Sequence, residues 1–522
     1  MLDLTPYGKP QVLLASAATA ATVYYLLSSL TKEKNTGYKK IPIPGSRLPY
    51  FGHLLSLGAS PMETIRKWNN EYGPVIHLKM GKQNWIMLTD PYLAHEIFAT
   101  NGLIASNRPV FTFTNLYSYG GLGVSFSNPT KRWKKARAAM LEVLAPSRVS
   151  GFTDILDYES DCMVEQLLTT TAQEGQIDPM IILHVAALNV VLMIVYGQRV
   201  ESADDPFFKL IMDFVRLGVK HLGAEGPISQ FLPAFSFLDT LLGTKRFFLN
   251  YLATVRDPIL QRLIEQGAQS DKDCLIKSFL EYDMDRKDLI VLMSDMILAG
   301  TDTVSVSLSW LLIFVSNHPD VQKKLHAEID GFYNTHQRLP TFKDRDQLPY
   351  MICVQKECLR HRSTAVFGLP HVVTQDLVVR DYLIPKNTAV FANLHGMHMN
   401  PDFYSDPESF NPDRFLDNTK TMMAAANGNV NARDHFNFGF GRRTCPGVHM
   451  AEVEMFNACT KIFAHCVVAP PLDADGKESP VDMNASYQSG IVLLPYPHQL
   501  RFLPRTDSPL ESPMKPSSSS SL

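Results

Sequence analysis

The sequence predicts a mainly α protein with a small β region, one large domain behind an N-terminal membrane anchor. Three observations predict it. Long segments carry helical apolar spacing, and one of them, Lys287 to Ser316, is apolar nearly all round, which belongs in a core. A later stretch, "HVVTQDLVVRDYLIPKNTAVFANL" from His371 to Leu394, is β-branched and broken by turn residues, the texture of a small sheet. Between Pro42 and Pro504 no linker-like composition divides the chain.

Composition excludes some classes. An apolar share of 45% with 19% charged residues is that of an ordinary globular protein. A formal net charge of -3 argues against nucleic acid as a partner, since such domains are strongly basic. The seven cysteines (162, 274, 353, 358, 445, 459, 466) are odd in number and contain no C-x-x-C pair. That fits a reducing compartment better than a disulfide framework.

The elements follow in order. Pro10 to Thr31, "PQVLLASAATAATVYYLLSSLT", is uncharged over 22 residues, enough for one helical span of a bilayer. Its small-residue triplets also suit a cleaved signal peptide, but "VYYLLSSL" continues the apolar run beyond them. Lys32, Lys34, Lys39 and Lys40 follow the span and only Lys9 precedes it, so the body is expected on the cytoplasmic side. The expected organisation is a lumenal end at 1–9, an anchor at 10–31, a basic and proline-rich hinge at 32–54, the main domain at 55–504, and a disordered Ser/Pro-rich tail at 505–522.

Within the body, Pro61 to Tyr72 reads as a helix behind a Ser-Pro start. Val75 to Leu88 alternates around Gly81 and Asn84, which predicts a hairpin. Lys131 to Leu144 is a helix with basic early turns, and helical patterns dominate Asp154 to Glu265.

The stretch "FNFGFGRRTCPGVHM", Phe436 to Met450, carries the chemistry. Pro446 suits the first position of a helix, and Val448, Ala451, Met455, Ala458 and Ile462 continue at helical spacing. Cys445 is thus expected at a buried helix N-terminus, where the dipole lowers a thiol pKa. Gly439, Gly441 and Gly447 allow tight backbone around the sulfur. A soft thiolate suits a metal, and a single cysteine fits one axial bond to haem iron better than a tetrahedral zinc site.

The pattern Phe438-x-x-Gly441-x-Arg443-x-Cys445-x-Gly447 resembles the haem-binding loop of the cytochrome P450 superfamily at every fixed position. The resemblance covers about residues 42–503 and is similar to the microsomal, membrane-anchored class, with a fungal-like texture around the cysteine. It implies haem b (iron protoporphyrin IX), with Cys445 as axial iron ligand and Phe438, Gly439 and Gly447 around it. Three more motifs join it. "AGTDT", Ala299 to Thr303, lies in the long apolar helix; the resemblance makes Thr303 the residue that hydrogen-bonds dioxygen and Asp302 a proton relay, both catalytic. The bland alternative is a Thr303 hydroxyl bonded back to its own helix carbonyl. Glu357 and Arg360, with Arg414 of "NPDRF", match a buried ion network that supports the haem loop. Trp133 and Arg137 match residues that hydrogen-bond a haem propionate, and His371, with Arg443 beside it, matches a position that binds the other.

What the resemblance implies is a monooxygenase that places one atom of O2 in an apolar small molecule, in secondary metabolism or detoxification. Electrons would come from NADPH through NADPH-cytochrome P450 reductase, with cytochrome b5 as a second donor, at the endoplasmic reticulum membrane. Lys131, Arg132, Lys134, Lys135 and Arg442 would form the basic docking face. Two alternatives keep the haem: an isomerase or dehydratase that does not activate O2, and a non-catalytic sensor. The substrate pocket is expected from segments 108–125, 207–226, 363–369 and 487–490 and the early long helix, with Phe111, Phe113, Phe214, Val366 and Phe367 in its wall.

Overall fold

A computed structural model describes residues 37–45, 47–222 and 226–510. The expected anchor at 10–31 lies outside the described residues, as does most of the expected tail.

Helices dominate, and at some of their ends the local chemistry that sets the boundary is plain. Helix α1, Pro61–Tyr72, starts on a proline and stops at Gly73. Strands β1, Val75–Met80, and β2, Gln83–Leu88, pair antiparallel from Val75 against Leu88 to Met80 against Gln83. The turn therefore lies at Gly81 and Lys82, and Asn84 is already in the strand. Two strands from the β-branched stretch complete this sheet: β3, His371–Val372, and β4, Ala389–Ala392. The order is β1-β2-β4-β3, with β4 parallel to β2 and antiparallel to β3. The hinge runs along the edge of this sheet, the His77 N–H donating to the Pro42 carbonyl at 2.8 Å.

Five helices frame the rest: α2, Lys131–Val143; α3, Thr153–Glu174; α4, Met180–Tyr196; α5, Pro206–Leu222; and the central α6, Arg286–Asn317. Asp285 caps α6 by accepting from the Lys287 N–H at 2.9 Å, satisfying one of the orphan donors of a helix start. Helix α6 is long and apolar enough to cross a membrane, but 78% of its apolar window is buried inside the protein. It is the core helix the sequence predicts. Helix α4 packs along it with almost every residue buried. Gly300 permits that approach: an added Cβ would come within 2.5 Å of Val191.

Helix α7, Pro349–His361, carries the ion network, and α8, Val448–His465, closes the core. Arg360 grips Glu357 at 2.7 and 2.8 Å, and Arg414 adds a contact at 3.1 Å, with Glu357 and Arg360 fully buried. At the C-terminal end, Arg505 is buried against Asp330 at 2.6 Å and donates to the Phe463 carbonyl. Arg505 is thus part of the packed body, not of the tail where the sequence reading put it.

Candidate active site

The cysteine loop is rigid before it reaches Cys445. The Gly439 N–H donates to the Phe436 carbonyl at 2.9 Å, and the Cys445 N–H donates to the Phe438 carbonyl at 2.9 Å. Phe436 stacks on Phe440, and Arg433 donates to the Gly439 carbonyl at 2.7 Å. Gly441 is required here: its φ is +57°, and a Cβ would fall 2.4 Å from the Phe98 carbonyl oxygen.

Helix α8 starts at Val448, with Gly447 as its cap. Pro446 is therefore not its first residue as the sequence reading expects; Gly447, at φ -90° and ψ 14°, leaves the helical region. The thiol of Cys445 opens onto an internal cavity while the protein encloses it from bulk solvent. Burial pushes the thiol up, while the Gly447 backbone and the Arg137 charge pull it down. The net direction is upward, opposite to the dipole expectation, because desolvation of the sulfur outweighs two partial compensations.

The cavity holds about 380 Å³. Cys445, Phe438, Gly439 and Gly447 line it together with Arg137, His371, Arg443 and Thr303. One cation that the sequence reading treats only as a segment boundary, Arg108, lines it too. Arg108 donates to the Ser125, Leu369 and Pro370 carbonyls, and Arg443 to those of Ser106, Val124 and Ser127. Arg137 donates to the Thr444 carbonyl. Among the described residues no carboxylate pairs with any of the three arginines. Burial first, and then one another's charge, bring Arg108 down to about 9 and Arg443 down to about 8.

Such a cluster of forked donors calls for carboxylates. The two propionates of protoporphyrin would satisfy that demand, and the Cys445 thiol on the same cavity wall would supply a ligand to its iron, so the residues present fit a haem. His371 adds a condition. Its Nδ1 donates to the Ala105 carbonyl at 2.6 Å, so a neutral ring leaves only an acceptor at Nε2. Burial lowers its pKa well below the usual value; it can donate to a carboxylate only as imidazolium.

Trp133 is not among the residues lining the cavity. Its indole N–H goes to the Val124 carbonyl at 3.1 Å, and its ring lies 4.5 Å under the Arg443 guanidinium. It positions Arg443. Thr303 lines the cavity, and its hydroxyl donates to the Ala299 carbonyl at 2.6 Å, the local bond of the bland alternative. Asp302 is off the cavity wall and meets His184 Nε2 at 2.9 Å, a partner the sequence reading missed.

The expected aromatic wall is also corrected. Phe113 packs against His221 and Phe248, and Phe111 against Trp85; none of Phe111, Phe113, Phe214, Val366 and Phe367 lines the cavity. Its apolar wall instead includes Phe126, Leu222, Met296, Leu369 and Ile491. The predicted segments supply most of these residues, from neighbouring positions.

Comparison with known proteins agrees with the site. The family model described as Cytochrome P450 matches residues 42–502. The chain is 31% identical over 504 residues to Cytochrome P450 2C44 of Mus musculus, spanning 92% of this chain and 96% of that protein. It is 27% identical to Cytochrome P450 monooxygenase verL of Clonostachys rogersoniana, over 93% of this chain and 90% of that one. A zebra fish cytochrome P450 structure with abiraterone superposes at a TM-score of 0.70 and 22% identity, covering 85% of this chain and all of that chain, which speaks for the fold. A buried single-thiol loop, an unneutralised arginine cluster and a long helix bearing Thr303 share one cavity, and with matches across the body they place this chain in the cytochrome P450 family of haem-thiolate monooxygenases acting on small molecules.

Proposed function

We propose that this chain is a microsomal monooxygenase that transfers one atom of O2 to an apolar small molecule, using electrons from NADPH delivered by NADPH-cytochrome P450 reductase. Cytochrome b5 is a second donor, and the site of action is the endoplasmic reticulum membrane. The observation that carries this reading is that Cys445 and Thr303 line one enclosed, mostly apolar cavity.

Haem iron, when bound, supplies the dioxygen chemistry. Everything else belongs to the chain. Cys445 offers a sulfur on a loop tied by its own backbone hydrogen bonds, and Arg108, Arg137 and Arg443 would neutralise the carboxylates of the ring. Apolar side chains hold the substrate and keep water out, which strengthens each polar interaction within. The Thr303 hydroxyl holds a water or an oxygen atom at the wall of α6. Asp302, one residue back and facing α4, keeps a proton acceptor within the same turn.

The test uses isotopically labelled dioxygen. Purified protein with reductase, NADPH and a substrate found by binding-induced spectral change should give a product carrying one labelled oxygen atom. Product formed without label and without O2 consumption would instead mean an isomerase or dehydratase.

A further inference from the structure

Two acids line the cavity, Glu454 of α8 and Asp295 of α6. Among the described residues Glu454 accepts no hydrogen bond, whereas Asp295 is held on both oxygens. Its Oδ1 accepts from the Tyr117 hydroxyl at 3.1 Å, and its Oδ2 from the Val124 and Ser125 N–H groups at 2.9 and 3.0 Å. Asp295 is 4% exposed, and among the described residues no cation pairs with it. A buried charge ordinarily keeps a partner or loses its charge. Burial pushes this carboxyl up, and the three donors oppose the shift.

The counter-charge lies one peptide away. The Val124–Ser125 peptide gives its N–H to Asp295, while its carbonyl accepts from Arg443 at 3.0 Å. Arg443 also donates to the Ser127 carbonyl at 2.6 Å. The next carbonyl, that of Ser125, accepts from Arg108 Nε at 3.0 Å. An anion at one end of a peptide and a cation at the other polarise it in the same sense, so each bond strengthens the other. Arg108 and Arg443 have no carboxylate of their own, yet both hang on a segment that a carboxylate holds. The seat is tight. Gly123 opens the segment at φ +73°, and a Cβ there would fall 2.9 Å from Asp295 Oδ2 and 2.6 Å from Val291.

We propose that Asp295 is a positioning residue for the arginines that meet the haem propionates: from α6 it fixes the Val124–Ser125 peptide, and through that peptide the guanidinium groups of Arg443 and Arg108. The inference goes beyond the monooxygenase reading and rests only on the haem. No bond to carbon, oxygen or hydrogen is made or broken. Asp295 aligns two forks of donors before any carboxylate arrives, so less ordering remains to be done on binding.

Two holoenzyme variants test it. Asp295→Asn keeps the shape and removes the charge and one acceptor oxygen. Gly123→Ala keeps every charge and pushes the segment off its seat. Transfer of haem to excess apomyoglobin should be faster than in wild type by roughly tenfold to a hundredfold in both. The reduction potential separates positioning from direct charge, because a cation near the haem raises the potential and an anion lowers it. With the arginines displaced from the propionates, both variants should show a lower potential than wild type. A raised potential in Asp295→Asn would mean that its charge acts directly across the cavity, and overturns the proposal. Faster haem loss at an unchanged potential would mean that Asp295 only holds the fold, and overturns it too, as does unchanged haem transfer. Either variant decides the matter alone if the other does not fold. Neither readout involves O2 or substrate, so the labelled-dioxygen experiment tells a failure here from a failure of the monooxygenase reading.

Discussion

Asp302 and His184 are joined across two packed helices, Oδ1 to Nε2 at 2.9 Å, with each side chain 8% exposed. The acid beside Thr303 is thus directed away from the cavity, toward α4. His184→Leu should leave that carboxylate without its donor, at a cost of about 1.5–3 kcal/mol for a hydrogen bond to a charged group. Thermal unfolding should show the loss, and product per NADPH should fall with it. His184→Gln, which restores an N–H near the Nε2 position, should recover most of the stability. Equal melting temperatures for Leu and wild type would mean the contact does not hold the acid.

Thr303→Val keeps the volume and removes the hydroxyl. Haem content and substrate binding should be retained, while NADPH drains into peroxide and product formation drops by about 10² or more. The local bond to Ala299 gives the alternative outcome a structural basis. If that bond were the whole role of Thr303, the valine enzyme would keep its rate and its product per NADPH.

Much of this arrangement is legible in the sequence because it is local. Lys287 to Ser316 differs by one residue at each end from the observed α6, since apolar residues on all sides announce a core helix. The Gly-rich loop is legible because Gly441 must accept a positive φ against Phe98. Long-range relationships leave no such trace. His184 sits in "MIILHVAAL" as a lone polar residue, and its partner is 118 positions away. Glu454 occupies an ordinary place in "AEVEMF", and only packing shows that none of the described residues pairs with it. Arg108 carries no motif; its meaning comes from Arg137 and Arg443, brought to one wall by three different segments. The aromatic side chains misled for the opposite reason: Phe113 and Phe214 have the composition of a pocket and the packing of a core.

The basic face is smaller than its sequence suggests. Arg132 reaches Asp288 at 3.7 Å and Lys135 reaches Asp283 at 4.0 Å, whereas no ion pair involves Lys131 or Lys134 among the described residues. Reversing the charges of Lys131 and Lys134 should therefore slow electron delivery from the reductase by roughly tenfold at low salt, and much less at high salt. Reversing Lys135 alone should do less. Stopped-flow reduction at two ionic strengths measures this, and salt-independent rates would remove the face from the account.

Glu454 gives the protein a pH dependence with a fixed sign. A carboxyl raised from 4.5 to about 8 on folding binds its proton more tightly in the folded state. Its contribution to stability is present at low pH and is lost as pH rises between those values. Glu454→Gln should consequently melt closer to wild type near pH 5 and gain on it steadily toward pH 8, with no further gain above. A difference that stays flat between pH 5 and pH 8 would place the carboxyl in contact with water or a cation.

The central claim is that Cys445 holds the iron, and the reduced carbonyl spectrum tests it most directly. Wild type should show the red-shifted band of a thiolate ligand, and Cys445→Ser should lose it, while Cys459→Ser, buried in the core at 0% exposure, should leave it intact. A red-shifted band persisting in Cys445→Ser would mean that another residue binds the iron and would contradict the account.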